Sequence, residues 1–581
     1  MTFNYFDIIK GRFFKNAAHV RGALSVYAKR EMFLRFTLVY FIVSMLVACS
    51  GVNNKPVPTE EVAATEDVQI TLPPDLLYEL GKERLDISFY GHYSTYSMPQ
   101  WGADPSSKWI MDNLNIHVKG IDVEGNGKQK LLKMIASKQL PDLIWGDRGY
   151  DLERLREAGL LVPLDKYIDK YPNLKKWAGM NVLDLLRAAD GKIYYFPNYY
   201  TNKPNGNAGY VVNKRIYREL GSPKLATTDE LYDYLNKVKA KYPDVVPFET
   251  GIASEGHGID QLFSAFKENN YSFTRYYAVT SGDKMTSIYQ DEGFRESALF
   301  VAKLVREGLI SSDAWTQTGD QVSEKLMNGK VAVFASADPM PQVMLANAEL
   351  GRKNKEDGYI FIDPIYKEGL DPKKIYPGTY NLLGWNVAAI TKSSKNPEAI
   401  FAMLDWMTGP EGSAVQMWGP PGPDGYWNGF QDDGITPNFT SKYTSDPDGL
   451  SEIQAVSGNL IWVGNTVYLD QTKSDYEKTL PEDKRNWSTY WQQKVTWKSQ
   501  GDATPFINLQ PTPNSDEGRI FTRIKEIWLN ARSYAMFAQT DEEVLAILDI
   551  AHKDSMESGF QEYLDFITSK WQANLKVLNQ E

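Results

Sequence analysis

The sequence predicts an α/β protein made of at least two packed units. Short apolar strands alternate along the chain with amphipathic helices, an order typical of parallel sheets. The chain has 581 residues, more than one ordinary hydrophobic core accommodates. Its hydrophobic fraction of 42% is that of a folded protein, so a disordered chain is excluded.

The first half of the chain contains the clearest alternation. The apolar and polar patterns predict a strand, a helix, a strand, a helix and a strand at residues 85–89, 128–138, 143–145, 151–157 and 210–212. Thr227 and Glu230 then have the spacing of a capping box, which predicts a helix that continues through Val238.

The second half continues the pattern and ends in helices. We expect strands at 331–334, 359–362 and 387–390, and helices at 294–307 and 397–407. Asn396 and Pro397 provide a cap and a first-turn proline for the second of these helices. Thr540 begins another capping box, and the last forty residues are predicted to be helical.

The N-terminus has the features of an export signal. Cys49, the only cysteine, follows the apolar run Phe36–Ala48, whose 13 residues are too few to span a bilayer and match the apolar core of a signal peptide. The basic residues Lys29, Arg30 and Arg35 precede this run. Leu46–Cys49 resembles the lipobox of bacterial lipoproteins, in which the cysteine sulfur receives a diacylglycerol and becomes the new N-terminus.

Cleavage at this box divides the chain into a signal peptide, residues 1–48, and a mature protein. Translation from Met32 instead of Met1 would give a signal peptide of ordinary length. Residues 49–81 are expected to form the lipid anchor and a flexible tether, because 50–67 are small, polar and proline-containing. The leader carries a charge of +5, so the mature chain carries −16. This acidity argues against nucleic acid as a partner.

Signatures of catalysis and of metal binding are missing from the sequence. It contains no G-x-x-x-x-G-K-[ST] and no H-E-x-x-H motif. His92, His117, His257 and His552 have no ligand spacing, and Asp122–Gly127 opens like a calcium loop but has Lys133 where a glutamate is required. We therefore expect no catalytic residues, no metal and no cofactor. A pair of carboxylates for glycoside hydrolysis stays open, because their spacing is three-dimensional.

Six motifs in order, over residues 85–410, resemble the extracellular solute-binding proteins of bacterial ABC sugar importers, family 1, in the large lipoprotein branch of Gram-positive bacteria. They are LKMIASKQLPDLIWGD at 132–147, DGKIY with Phe-Pro at 190–197, VNKR with Leu-Gly and the Thr227 box at 212–230, EGLI at 307–310, MNGKVA at 327–332 and KNPEA at 395–399. Residues 411–581 match only as helices. Some relatives have a calcium loop where this chain has 239–247, which lacks alternating Asp and Asn, so calcium is not carried over.

The resemblance implies a type II periplasmic-binding-protein-like fold, with two lobes, each a sheet flanked by helices, and a hinge between them. We expect residues 82–209 with 335–405 in lobe 1, and 210–334 with 406–581 in lobe 2. The implied protein is lipid-anchored on the extracellular face of the cell membrane and monomeric. It captures an oligosaccharide between its lobes and delivers it to the subunits of an ABC permease, without catalysis.

Candidate ligand-binding residues follow from the rule that ligands bind beyond the carboxyl ends of strands in open α/β sheets. Trp and Tyr stack on the apolar faces of sugars, whereas Asp and Arg bind hydroxyl groups. Trp and Tyr make up 49 of the 74 aromatic residues. The candidates are Tyr93, Trp101, Asp147, Arg148, Tyr199, Tyr200, Trp385, Trp418, Tyr426 and Trp427. Trp145 is as compatible with the core as with the cleft.

Three alternatives remain open at the level of sequence. The protein could be a lipid-anchored glycoside hydrolase, it could bind peptides with the same fold, or it could present a ligand to a sensor kinase. The charge of −16 disfavours polyanionic glycans through its field, although a local cluster of arginines would override this.

Overall fold

The computed structural model describes residues 77–93, 96–123, 125–271 and 273–579. The predicted signal peptide, Cys49 and most of the predicted tether lie outside the described residues. The described chain is a mixed α/β protein, as the sequence predicts.

The strands are numbered here in chain order. They are β1 Leu85–Gly91, β2 Ile116–Gly120, β3 Leu143–Asp147, β4 Phe196–Asn198, β5 Gly209–Asn213, β6 Val246–Glu249, β7 Ala278–Ser281, β8 Lys284–Ser287, β9 Val331–Ser336, β10 Tyr359–Ile362, β11 Gly378–Tyr380, β12 Asn386–Ile390, β13 Trp427–Phe430, β14 Pro437–Phe439 and β15 Gln500–Asp502.

The helices lie between and after these strands. Those before β9 are Pro105–Leu114, Gly127–Ser137, Tyr150–Glu157, Asp165–Lys170, Pro172–Ala178, Met180–Asp184, Lys214–Glu219, Thr228–Lys241, Ile259–Ala265, Glu292–Arg306 and Gly319–Met327. Those after β9 are Met340–Lys353, Pro397–Thr408, Pro410–Trp418, Lys442–Ser445, Pro447–Ser457, Thr466–Thr479, Trp487–Lys494, Asp516–Met536, Asp541–Glu557 and Phe560–Leu578.

Local sequence signals account for several of these boundaries. At the start of helix Thr228–Lys241, the Glu230 amide donates to the Thr227 hydroxyl at 3.2 Å, and the Thr227 amide donates to the Glu230 carboxylate at 3.0 Å. This reciprocal pair is the predicted capping box. At Thr540 only half of the box forms, because the Glu543 carboxylate accepts from the amide of Gln539 instead.

Two sheets organise the described chain. The first has the order β2-β1-β3-β12-β4, in which β1 pairs parallel with β2 and β3, and β12 runs antiparallel to β3 and β4. The second has the order β10-β5-β9-β6, with β6 and β9 parallel and β5 antiparallel to both of its neighbours. We call each sheet, with the segments packed on it, the first lobe and the second lobe.

The assignment of segments to lobes differs from the sequence prediction in two places. β10 pairs with β5, opposite Asn213, so residues 335–362 belong to the second lobe and not to the first. Residues 410–469 pack in the core of the first lobe, where Trp462 stacks on Phe89 with ring centroids 4.1 Å apart. The prediction of these boundaries was wrong because both contacts join residues far apart in sequence.

Residues 199–208 and 376–385 run between the lobes, and residues 499–505 pack beside them; we call the three segments the crossovers. Backbone hydrogen bonds tie them together: the Thr201 amide donates to the Leu382 carbonyl at 3.0 Å, and the Ala503 amide donates to the Tyr380 carbonyl at 2.8 Å. β11 and β15 pair in parallel within the second and third crossovers. The three segments therefore form one hydrogen-bonded layer between the two sheets.

Glycine permits this layer to pack closely. A β-carbon at Gly378 would collide with the β-carbon of Ala208 on the neighbouring crossover. A β-carbon at Gly206 would collide with the amide side chain of Gln500 on the third crossover. At Gly378 the crossovers approach each other more closely than a residue with a side chain would allow, whereas at Gly206 the flexible end of Gln500 would have to move.

We predict that Gly378→Ala destabilises the protein, because the added methyl group forces the crossovers apart. Overpacking of this kind costs about 1–3 kcal/mol of the free energy of unfolding, measured by urea denaturation. Gly351→Ala is the matched control: Gly351 lies in helix Met340–Lys353 with no atom near the added β-carbon, so stability should stay the same or rise. Equal effects of the two substitutions would contradict the account of the crossovers.

Candidate functional site

A cavity of about 850 Å³ lies between the lobes. It is lined by Asp147 at the end of β3, by residues 254–257 after β6 and by Ala337 after β9. Residues 206–208, 376–379 and Gln500 of the three crossovers complete its lining. The cavity thus lies at the carboxyl ends of strands from both sheets, where α/β proteins bind ligands.

A second cavity of about 370 Å³ adjoins the first. Arg275 and Thr379 line both cavities, and Arg148, Trp385 and Lys570 line only the smaller one. Because the two cavities share lining residues, a single ligand can extend from one into the other.

Trp385 provides an aromatic surface at the smaller cavity. Its side chain is 49% exposed, unlike most tryptophans of this chain. Tyr199 stacks beside it with ring planes 9° apart and centroids 6.3 Å apart, and Tyr93 lies 5.8 Å away on another side. Beneath them Trp145 is buried and contacts both Tyr93 and Trp385. The supporting rings fix the orientation of an indole that remains open to a ligand.

Tyr93 also orients a carboxylate. Its hydroxyl donates to the Asp147 Oδ1 atom at 2.8 Å. Burial raises the pKa of Tyr93, and the neighbouring carboxylate raises it further, so the phenol stays protonated and keeps donating. Asp147 itself is exposed at the larger cavity, with Oδ2 available to a hydroxyl donor.

The larger cavity has acceptor groups that need donors. Asn270 Oδ1 and Gln500 Oε1 are buried, and neither has a hydrogen-bond partner among the described residues. A buried carbonyl oxygen without a partner is costly, and a ligand hydroxyl would satisfy it. Asp260, in contrast, is held by Arg532 at 2.6 Å and by the Thr274 hydroxyl at 3.0 Å.

The sequence-predicted residues divide into two sets. Asp147, Arg148 and Trp385 line the cavities, and Tyr93 and Tyr199 contact Trp385. The other five, contrary to the prediction, pack in the core of the first lobe: Trp101, Tyr200, Trp418, Tyr426 and Trp427.

The reason for this correction is the same for each of the five. Tyr200, Trp418 and Trp427 are at most 1% exposed, and the polar atoms of Tyr200 and Trp427 already have partners within the core. Trp101 stacks on Trp462 with centroids 5.9 Å apart, and Tyr426 donates to Asp446. These side chains stabilise the first lobe and do not line either cavity.

Sequence reasoning missed the lining from the second lobe, above all His257, Arg275 and Arg532. His257 follows β6, which went unpredicted because Pro247 interrupts its apolar pattern. β6 is an edge strand, where proline is tolerated. Arg275 lies in a short 3₁₀ helix, Phe273–Arg275, and Arg532 in the long helix Asp516–Met536. The one sequence signal that could have indicated this lining was the polar, glycine-rich turn at residues 251–258.

Neither a metal-binding cluster of side chains nor a membrane-spanning helix occurs within the described ranges. There, no group of three or more His, Cys, Asp or Glu side chains has an arrangement that could hold a metal ion. Over the same residues, no helix combines the length and the apolar character that crossing a membrane requires.

The family is decided by a comparison with protein-family models. Residues 111–414 match the model described as bacterial extracellular solute-binding protein. The chain belongs to this family. The match includes four of the five strands of the first sheet and the whole second sheet, whereas the cavity-lining residues from Gln500 onwards lie outside it.

Individual relatives of this solute-binding protein agree with the assignment. The polygalacturonan/rhamnogalacturonan-binding protein YtcQ of Bacillus subtilis (strain 168) is 25% identical over 181 residues, which are 30% of this chain and 34% of that relative. The match therefore spans about a third of the relative's length.

Solved structures share the fold. The S. pneumoniae ABC-transporter substrate binding protein FusA, in complex with kestose, has a TM-score of 0.63 at 19% identity and covers 84% of this chain and 99% of its own. An HMO-binding, ABC-transporter-associated solute binding protein from Bifidobacterium longum infantis ATCC 15697 has a TM-score of 0.61 at 15% identity, covering 86% and 100%.

Proposed function

We propose that this chain is a lipid-anchored extracellular protein that captures an oligosaccharide between its lobes and delivers it to an ABC permease. The observation that carries the proposal is the exposed, supported indole of Trp385 beside polar side chains at the cavities between the lobes. Sugars have apolar C–H faces that stack on aromatic rings, and hydroxyl groups that pair with carboxylates and amides.

The polar lining supports a carbohydrate over an apolar ligand. Asp147 accepts from hydroxyl groups, and Asn270 and Gln500 offer buried carbonyl oxygens. The relative YtcQ is named for binding polygalacturonan and rhamnogalacturonan, which also supports a carbohydrate. The presence of two adjoining cavities with shared lining residues supports an oligosaccharide over a single sugar.

Capture follows from the arrangement of the lobes around the crossovers. A ligand that touches Asp147 on one lobe and Arg275 on the other makes more contacts when the lobes are closed. Such a ligand shifts the population towards the closed form, through a hinge at the three crossovers. A permease that recognises the closed form would then receive only loaded protein.

The lipid anchor rests on the N-terminal sequence. Leu46–Cys49 ends an apolar run behind basic residues, and residues 50–67 provide a polar tether. Acyl chains hold a protein at a membrane through roughly 0.8 kcal/mol per buried methylene. Anchoring would keep the binding protein close to its permease.

Trp385→Ala is predicted to weaken the binding of the tightest oligosaccharide from a glycan panel by roughly 10- to 100-fold, because a central aromatic contact is lost. Isothermal titration calorimetry on residues 50–581 measures this. Tyr534→Ala is the matched control, since Tyr534 is 48% exposed but lines neither cavity. Unchanged affinity in the Trp385 variant would contradict the proposed site. If a peptide pool bound more tightly than every glycan of the panel, a peptide-binding protein would be favoured instead.

Cys49→Ser is predicted to release the protein from the membrane, because serine has no thiol to accept the diacylglycerol. Fractionation of a Gram-positive host, with mass spectrometry of the N-terminal peptide, measures the distribution and the modification. Ser50→Ala, at the adjacent position, serves as the control and should stay in the membrane fraction. A Cys49 variant that remains membrane-bound would contradict the lipid anchor.

A further inference from the structure

The smaller cavity collects basic side chains. Arg148, Arg156, Arg187, Arg275 and Lys570 line it, against one acidic side chain, Glu153. This contrasts with the charge of −16 on the mature chain. An anionic ligand approaching so acidic a protein is repelled by its overall field, so attraction requires a local concentration of positive charge.

Two of the five basic side chains are already neutralised. Arg156 forms an ion pair with Glu153 at 2.6 Å, and the Tyr195 hydroxyl donates to the other oxygen of that carboxylate at 2.8 Å. Arg187 contacts two carboxylates, Asp165 at 2.6 Å and Asp184 at 2.7 Å. The only acidic side chain of the cavity is therefore fully engaged.

The other three are not neutralised by an ion pair, although the negative charge of Asp147 favours the charged form of Arg148. Within the described ranges, Arg148, Arg275 and Lys570 form no ion pair with any carboxylate. The ammonium of Lys570 lies 5.6 Å from the Phe566 ring centroid. Both cavities share Arg275, whose side chain is exposed.

Arg148 is held in position for a ligand. Its Nη1 atom donates to the Gly384 carbonyl at 3.0 Å, next to Trp385 in the chain. The pKa of Arg148 is lowered to about 10, mainly by burial and in part by the positive charge of Arg275, while the Asp147 carboxylate acts in the opposite direction. Two guanidinium groups that repel each other at one cavity are unfavourable until an anion lies between them.

We propose that this cavity binds the carboxylate of a hexuronic acid unit, held by Arg148 and Arg275, while Trp385 stacks on a sugar ring of the same oligosaccharide. The inference rests on the proposed function and specifies its ligand class. A carboxylate is planar and matches the donor fork of a guanidinium, which gives short, charge-assisted hydrogen bonds. The three side chains share one cavity, so one sugar unit and its neighbour can contact all of them.

The test compares acidic and neutral probes on the protein comprising residues 50–581. Trimers of galacturonic, glucuronic, mannuronic and guluronic acid, and the methyl esters of each, are titrated by calorimetry. Methyl esterification removes the charge and leaves the rings unchanged. We expect at least one acid trimer to bind at least about tenfold more tightly than its ester, and we expect this preference to shrink at high salt.

Charge-removing variants then assign the preference to the two arginines. Arg148→Gln and Arg275→Gln should each weaken binding of the acid by about tenfold or more, with little effect on the ester. Arg523→Gln, on the exposed face of helix Asp516–Met536 and outside both cavities, removes the same charge and should change neither. Among the described residues, the Arg275 side chain makes no hydrogen bond to a backbone carbonyl like that of Arg148 to Gly384, so its variant stays informative if Arg148→Gln fails to fold.

The outcomes separate this inference from the proposed function. Acid-selective binding that the two arginine variants abolish supports both. Binding of esters or neutral oligosaccharides as tightly as acids, unaffected by either variant, overturns the uronate inference and leaves an oligosaccharide-binding protein. Failure to bind any glycan, acidic or neutral, contradicts the proposed function itself.

Discussion

The close packing of the three crossovers is the constraint on which the rest of the structure depends. Gly378 faces Ala208 with no room for a side chain, and Gly206 faces the amide end of Gln500. These contacts hold the crossovers close together between the two sheets. The same segments line the larger cavity, so the residues that connect the lobes also contribute to the candidate binding surface.

The two lobes contribute different kinds of side chain to the cavities between them. The first lobe contributes the aromatic platform of Trp385 and the Tyr93–Asp147 pair. The second lobe contributes Arg275 and, through helix Asp516–Met536, Arg532. A ligand that needs both stacking and charge must touch both lobes. Affinity and closure are therefore coupled, because full contact requires both walls.

Local patterns predicted much of the fold and part of the site. Strand alternation at Leu85–Phe89 and the Thr227 capping box depend on neighbouring residues, and both are present in the structure. Asp147 and Arg148 were predicted because they follow a recognisable apolar strand. Trp385 and Trp427 are the same residue type near strands, yet one is 49% exposed and the other 1%. That difference depends on which distant segment covers each ring, which local sequence does not encode.

The lobe assignment failed for a similar reason. β10 joins the second sheet by pairing with β5, about 150 residues earlier in the chain, and Trp462 is buried against Phe89 across a still longer separation. Likewise, Arg148 lies in the first lobe and Arg275 in the second, and the two side chains line the same cavity. Such contacts depend on the crossovers, whose packing is a three-dimensional property.

The central claim is that the lobes close on an oligosaccharide and release it intact. Small-angle X-ray scattering of residues 50–581, before and after addition of the tightest glycan, with chromatography of the recovered sugar, tests it most directly. The account predicts a smaller radius of gyration with ligand and a sugar recovered unchanged. An unchanged radius together with cleaved sugar would contradict it and would identify a glycoside hydrolase on this fold.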